Sequence, residues 1–316
     1  MSAQNPVTKT SFENEFGSRD ETRPSELTRL EALLAEARMA RMPVLRRLRL
    51  VATIGHRLDG FFQLQVPGLR TRGRLAPVRA RVDALATSAR ALLESELLPA
   101  LAQRGILLAT WDAIASEQRA ALSRLFAAEI SPLLTPLIVD AGHPFPCVAS
   151  LALNLAVMAR PPRQTEARYV GIEVPPTLPR FVALPATGIV LRTEDVIGAN
   201  LGVLLPGLDV VCHHVFRVTR DGRPRRAAGP GSADTSGPSP RTRAAVRLEL
   251  DAATPPALRG LLVQALALHA DDAYDVEGAL DLCGLASLPI ARALHGSPAG
   301  LAFATTRAPD SGREWA

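Results

Sequence analysis

The sequence predicts an α+β protein in which an amino-terminal helical bundle is followed by a mixed head domain. Three observations carry this expectation. Over the first part of the chain, apolar residues recur every three or four positions. After Pro132 the spacing shifts to short alternating runs interrupted by two helical stretches. The length of 316 residues fits two domains.

Residues 1–24 are polar and mixed in charge, and read as a disordered tail. Ser25 is placed to cap a first helix that carries Leu27, Leu30, Leu33 and Leu34 on one side. Pro43 stands where a second helix can begin. Its apolar positions are Val44, Leu48, Val51, Ile54, Leu58, Phe61 and Phe62, and Pro67-Gly68 marks its expected end. A third helix follows Pro77, with Val78, Val82, Leu85, Ala89, Leu92 and Leu93 in register, and runs to about Ala102. Gly105 to Trp111 is a loop or strand. Ser116 is expected to cap a fourth helix, through Leu122, Leu125, Phe126 and Ile130. Four amphipathic helices with short links make a bundle over residues 25–131.

The head domain is expected over 132–296. Ser150–Arg160, Tyr169–Val174, Phe181–Leu184, Asp209–Arg220 and Ala244–Asp251 read as strands. Thr193–Leu204 and Pro256 to about Ala267 read as helices. Residues 221–243 are rich in Gly, Pro, Ser and Arg, and are expected to form a mobile loop. Residues 297–316 read as a second tail.

Hydrophobic residues make up 47% of the chain and charged residues 21%, enough to build ordinary cores. The net charge is +5 and the pI about 9.8. Of the 36 basic residues only Lys9 is a lysine. Arginine suits phosphate oxygens, which permits a polyanionic partner, but a compositional bias toward Arg, Ala, Gly and Pro explains the same count. Aromatic residues are 4%, so nucleic acid is not an expected partner. Three cysteines (Cys147, Cys212 and Cys283) without repeated spacing argue against a disulfide framework. No signal peptide or membrane span is visible, and a cytoplasmic location is expected.

Motifs that carry chemistry are mostly excluded. A P-loop needs Gly-Lys-Ser/Thr, and Lys9 has no glycine before it. Gly-x-Ser-x-Gly is missing. Cys212, His213 and His214 would alternate across a strand and cannot readily meet one metal. Asp140 and His143 could pair for proton transfer, although the flanking Pro144 and Pro146 favour a rigid turn. Asp271, Asp272, Asp275 and Asp281 do not match an EF-hand spacing and are expected to form a solvated acidic surface. No catalytic residue and no metal site is assigned.

Ordered blocks nonetheless resemble the bacterial polyphosphate kinases of the histidine-phosphorylating type. These are "PVLRRLRLVATIGHRLDGFFQLQVPGL" (Pro43–Leu69), "LLPALAQRGILL" (Leu97–Leu108), "ISPLLTPLIVDAGHPFPCVASLALNLAV" (Ile130–Val157), "EDVIGANLGVLLPGLDV" (Glu194–Val210) and "AAVRLELDAATPPALRGLL" (Ala244–Leu262). The resemblance covers about residues 25–290. It implies a helical amino-terminal domain and a middle, or head, domain involved in dimer contacts. It also implies a family reaction in which the terminal phosphate of ATP moves reversibly to polyphosphate, with magnesium and a phosphate-carrying histidine in the carboxy-terminal half.

None of the six histidines lies in a block like that nucleophile's. The sequence is therefore expected to be truncated and inactive alone, with ATP and Mg2+ belonging to the full-length family. The family asparagine that helps hold the base is replaced by Arg57, and the acidic residue of Leu-Asp-Glu-Phe-Phe by Gly60. The nucleotide site is not carried over. Arg57 is left either as an anion contact or as a long side chain lying off the core. Gly60 weakens its helix by roughly 1 kcal/mol relative to alanine. Two alternatives stay open. One is a non-catalytic module, a homodimer or a heteromer with full-length polyphosphate kinase, holding polyphosphate through Arg57, Arg70, Arg72 and Arg74. The other is a decayed or split gene product.

Overall fold

The computed structural model describes residues 25–71, 75–139, 145–223 and 243–290. The expected tails and all but the ends of the expected loop 221–243 lie outside these residues, as do Asp140 and His143. The architecture is α+β.

Helix α1 (Glu26–Ala37) starts where Ser25 Oγ accepts the Thr28 amide at 3.3 Å, satisfying one of the orphan donors of the first turn. Helix α2 (Val44–Leu64) buries the predicted stripe from Val44 to Phe62. The chain does not leave helical geometry at Pro67-Gly68. It continues as a short helix, α3 (Val66–Thr71), because Pro67 falls in a first turn, where its missing N–H breaks nothing. Helix α4 (Ala76–Leu92) runs through a π turn (Leu93–Leu97) into α5 (Leu98–Ala102). A second π turn (Phe126–Ile130) ends α6 (Ser116–Leu125). Pro99 and Pro132 follow these two turns, and each lacks the N–H that a regular ladder would need. Ala115, not Ser116, caps α6, and its amide donates to Gln118 Oε1 at 2.9 Å.

Strands β1 (Leu107–Leu108), β5 (Phe181–Ala183) and β6 (Ile189–Arg192) form a small sheet in the order β1-β6-β5. Strands β2 (Leu137–Val139), β3 (Leu153–Arg160), β4 (Arg168–Glu173), β7 (Asp209–Arg220), β8 (Ala245–Asp251) and β9 (Ala273–Val276) form a larger one. Its order is β2-β4-β3-β7-β8-β9, antiparallel except for β8–β9. The expected helix over 193–204 is two pieces, α7 (Thr193–Ala199) and α8 (Leu201–Leu204). They part at Asn200, whose side chain donates back to the Val196 carbonyl at 2.8 Å. Helix α9 (Pro256–Ala265) lies between β8 and β9.

The first helices share one core, in which Leu30, Val51, Ile54, Phe62, Ala89, Leu93 and Leu97 are buried together. Helix α6 does not join it. Leu122, Leu125 and Phe126 pack with Leu155, Val157, Val170 and Ile172 of the large sheet. The physical reason is β1, which pairs in parallel with β6 and carries the chain away from the bundle before α6 begins. Among the described residues, no helix is long and apolar enough to cross a membrane.

Candidate functional site

One face of the large sheet changes character across its width. On β3 and β4, Leu155, Val157, Val170 and Ile172 meet α6 and α7 in an apolar core. On β7 and β8 the same face carries Arg217, Thr219, Arg247 and Glu249. Cross-strand register pairs Arg217 with Glu249 and Thr219 with Arg247. This charged half meets α2, which supplies Asp59. All these side chains are buried.

Asp59 is held by both arginines. Arg217 grips it with two N–H groups, one at 2.8 Å to Oδ1. Arg247 donates to the same Oδ1, donates to Thr219 Oγ1 at 2.9 Å, and stacks 4.2 Å over the Phe62 ring. Arg217 also donates to Glu249 at 3.1 Å, and Arg90 of α4 donates to the other Glu249 oxygen at 3.2 Å. Asp281 approaches Arg217 at 3.6 Å and Arg180 at 3.5 Å, and Arg180 in turn pairs with Glu194. Four carboxylates thus face four guanidiniums. Burial alone would raise the Asp59 carboxyl, but Arg217 and Arg247 outweigh it and hold it below its ordinary value. Burial opposes the Arg217 charge as well, yet Asp59, Glu249 and Asp281 raise its pKa.

Two backbone features let these groups meet. A Cβ at Gly55 would lie 2.7 Å from the Cys283 amide and from Leu282 Cβ, so glycine permits α2 to touch the turn at Cys283–Ser287. Leu151 has φ of 65°, a region that costs a non-glycine residue roughly 1–2 kcal/mol. In that conformation its carbonyl accepts Arg217 Nε at 3.2 Å. The cavity among these side chains is about 20 Å³, room for about one water.

The residues singled out from sequence sit elsewhere. Arg57 points away from Asp59 toward Glu26, at 3.6 Å, and is 44% exposed. Two positions along a helix turn the side chain by about 200°. Arg70 pairs with Asp272 at 2.6 Å. Arg72 and Arg74 are outside the described residues. The acidic surface expected around 271–281 is only partly one. Asp271 is solvated, but Asp272 is 1% exposed between Arg70 and Arg79, and Asp281 joins the buried arginines. Cys212, His213 and His214 alternate along β7. His213 packs on Gly198, where a Cβ would lie 2.4 Å from Nε2, and His214 Nδ1 lies 3.8 Å from Asp251. No group of three His, Cys, Asp or Glu fit to hold a metal occurs among the described residues.

Comparison with known proteins adds to this geometry. The family model described as the polyphosphate kinase middle domain matches residues 117–224. It starts inside α6, the helix that packs on the sheet. A polyphosphate kinase of Thermosynechococcus vestitus is 32% identical over 292 residues, covering 82% of this chain and 40% of its own length. The solved polyphosphate kinase of Porphyromonas gingivalis superposes with a TM-score of 0.71 at 25% identity, over 84% of this chain and 40% of that one. The chain belongs to the polyphosphate kinase family across its amino-terminal and middle regions. A family member from Streptomyces coelicolor is 34% identical over 290 residues, covering 81% of this chain and 37% of its own length. The chain thus spans about 40% of the length of the relatives it matches. In this family member, the Pro43–Leu69 block quoted for the resemblance contains both Asp59 and Arg57. Only Asp59 reaches the buried charges.

Proposed function

We propose that these residues form the non-reacting scaffold of an ATP–polyphosphate phosphotransferase, and that this chain by itself does not transfer phosphate. One observation carries the reading. Where arginines converge between bundle and sheet, each is already matched by a carboxylate, and the remaining cavity holds about one water. Such a cluster fixes the angle between two layers and leaves no guanidinium free for a phosphate chain. Of the surface arginines offered for polyphosphate that are described, Arg70 is paired with Asp272 at 2.6 Å, and the exposed Arg57 lies 3.6 Å from Glu26.

Apart from His214, which has Asp251 3.8 Å from its Nδ1, two described histidines support the same reading. His213 is packed on α7, with burial lowering its pKa. His56 has Cys283 Sγ at 3.9 Å. Neither is posed as a nucleophile beside a general base. A family member lending its framework is also expected to associate with a full-length polyphosphate kinase.

The test is incubation of the purified chain with labelled ATP, Mg2+ and polyphosphate. Neither labelled protein nor labelled polyphosphate is expected. Synthesis at a rate comparable to a full-length relative overturns the proposal. Pull-down with a full-length polyphosphate kinase tests the association, which a strictly monomeric, non-binding chain would remove.

A further inference from the structure

The corner between α1 and α2 has a composition of its own. From Arg38 to Arg49 the chain reads "RMARMPVLRRLR", with five arginines and no acidic residue. It joins the end of α1 to the first turns of α2. At the helical rise, Leu45 and Asp59 are about 20 Å apart along α2. The corner therefore stands at the end of α2 away from the buried charges.

Its backbone and one of its arginines hold it in place. The Met39 amide donates to the Glu36 carbonyl at 3.0 Å, and the Met42 amide to the Met39 carbonyl at 2.9 Å. Arg47 turns inward. Its Nε donates to the Ala37 carbonyl at 2.6 Å and its guanidinium pairs with Glu96, which ties α2 to the end of α1. The other four arginines, Arg38, Arg41, Arg46 and Arg49, are exposed. Arg46 has Glu36 at 3.3 Å. Among the described residues, Arg38 and Arg41 have no carboxylate partner. Met39 is 43% exposed and Leu45 38%. A single exposed apolar side chain is ordinary, but these two stand among guanidiniums on one corner.

Charge and apolarity together select the partner. A nucleic acid or a polyphosphate chain would engage the guanidiniums and leave Met39 and Leu45 in water. The segment also has no aromatic residue on which a base could stack. Four consecutive residues, Arg38 to Arg41, are exposed, so the corner is a tip and offers no groove to a peptide. An anionic bilayer meets both demands, with phosphates for the arginines and an acyl boundary for the apolar side chains. We propose that the α1–α2 corner docks on the surface of an anionic phospholipid membrane. Arg38 and Arg41 meet headgroup phosphates, and Met39 and Leu45 enter the boundary below them. The chain lies on the bilayer and does not cross it.

The proposal is independent of the phosphotransfer reading, and sedimentation of the full chain with lipid vesicles tests it. Vesicles of phosphatidylcholine and phosphatidylglycerol in equal parts are expected to bind at least about tenfold more tightly than phosphatidylcholine alone, and less tightly as salt rises. Arg38→Gln combined with Arg41→Gln is expected to weaken this binding at least about tenfold. Met39→Ser combined with Leu45→Ser is expected to weaken it about tenfold, with affinity for single-stranded DNA and for polyphosphate unchanged. All four side chains are exposed, so both double variants should keep the thermal midpoint. Equal binding to the two kinds of vesicle overturns the proposal, as does no binding to the mixed ones. Undiminished vesicle binding in the glutamine variant overturns it too. Undiminished vesicle binding in the serine variant would mark a site for polyanions and not for a membrane.

Discussion

The β3–β4 half and the β7–β8 half of one sheet face are both buried under helices, but by different physics. Leu155, Val157, Val170 and Ile172 meet α6 and α7 through apolar contact, which is additive and tolerant of small shifts. Arg217, Arg247 and Glu249 meet Asp59 through bonds of fixed direction, which fail if the register slips by one residue. The apolar half supplies free energy. The charged half specifies where α2 must sit. Replacing a buried ion pair by apolar residues is often neutral, whereas removing one partner is not. The two halves should therefore respond differently to substitution, to pH and to added volume.

The largest effect is expected at the charged half. Asp59→Ala leaves Arg217 and Arg247 buried without their shared acid and is expected to cost about 3–5 kcal/mol in urea unfolding. A loss below about 1 kcal/mol would show that the cluster does not couple the layers. The pH response follows from the same residue. Its folded pKa lies below the unfolded value of about 3.9, so its contribution is complete above that value and is lost as pH falls through the folded pKa. Wild type should lose stability below about pH 4 more steeply than Asp59→Asn, whose profile lacks this term.

Leu155→Ala, in the apolar half, is expected to cost about 2–4 kcal/mol through lost contact and cavity formation. This loss should be the same at pH 4 and pH 7. A pH-dependent loss there would erase the distinction between the halves.

Much of the framework was legible in the sequence. The helical stripe from Val44 to Phe62 and the limits of β7 emerge as expected, because both repeat their period over many residues. Strands β2, β6 and β9 were not legible; each is three or four residues long, too short to repeat a period, and unlike the equally short β5, β9 also carries Asp275. The site was less legible than the fold. Asp59 stands in the block that carries the resemblance, and the sequence alone gives it no role. Hydropathy counts an acid as a surface residue until its partner is known, and the partners lie 158 and 188 positions away. A usable signal was present in "FRVTR" and "VRLEL". Charged and apolar residues alternate there, so Arg217 and Thr219, and likewise Arg247 and Glu249, lie on one face of each strand.

The two glycines of α2 sharpen the comparison at the smallest scale. They are five residues apart in one helix and should answer alanine with opposite signs. At Gly55 the added methyl meets the Cys283 amide and Leu282 Cβ at 2.7 Å, so α2 must move away from the turn that carries Asp281 toward the arginines. Gly55→Ala is expected to cost about 1–3 kcal/mol despite its gain in helix propensity. At Gly60 nothing lies within 4 Å of the added methyl. Gly60→Ala should therefore return the propensity alone, raising stability by about 1 kcal/mol. Thermal unfolding of the two single variants measures both signs. Stabilisation by both would mean that the close approach at Gly55 is not what fixes α2 against the charged strands. Destabilisation by Gly60→Ala would mean that the open side of α2 is covered by something that the described residues do not include.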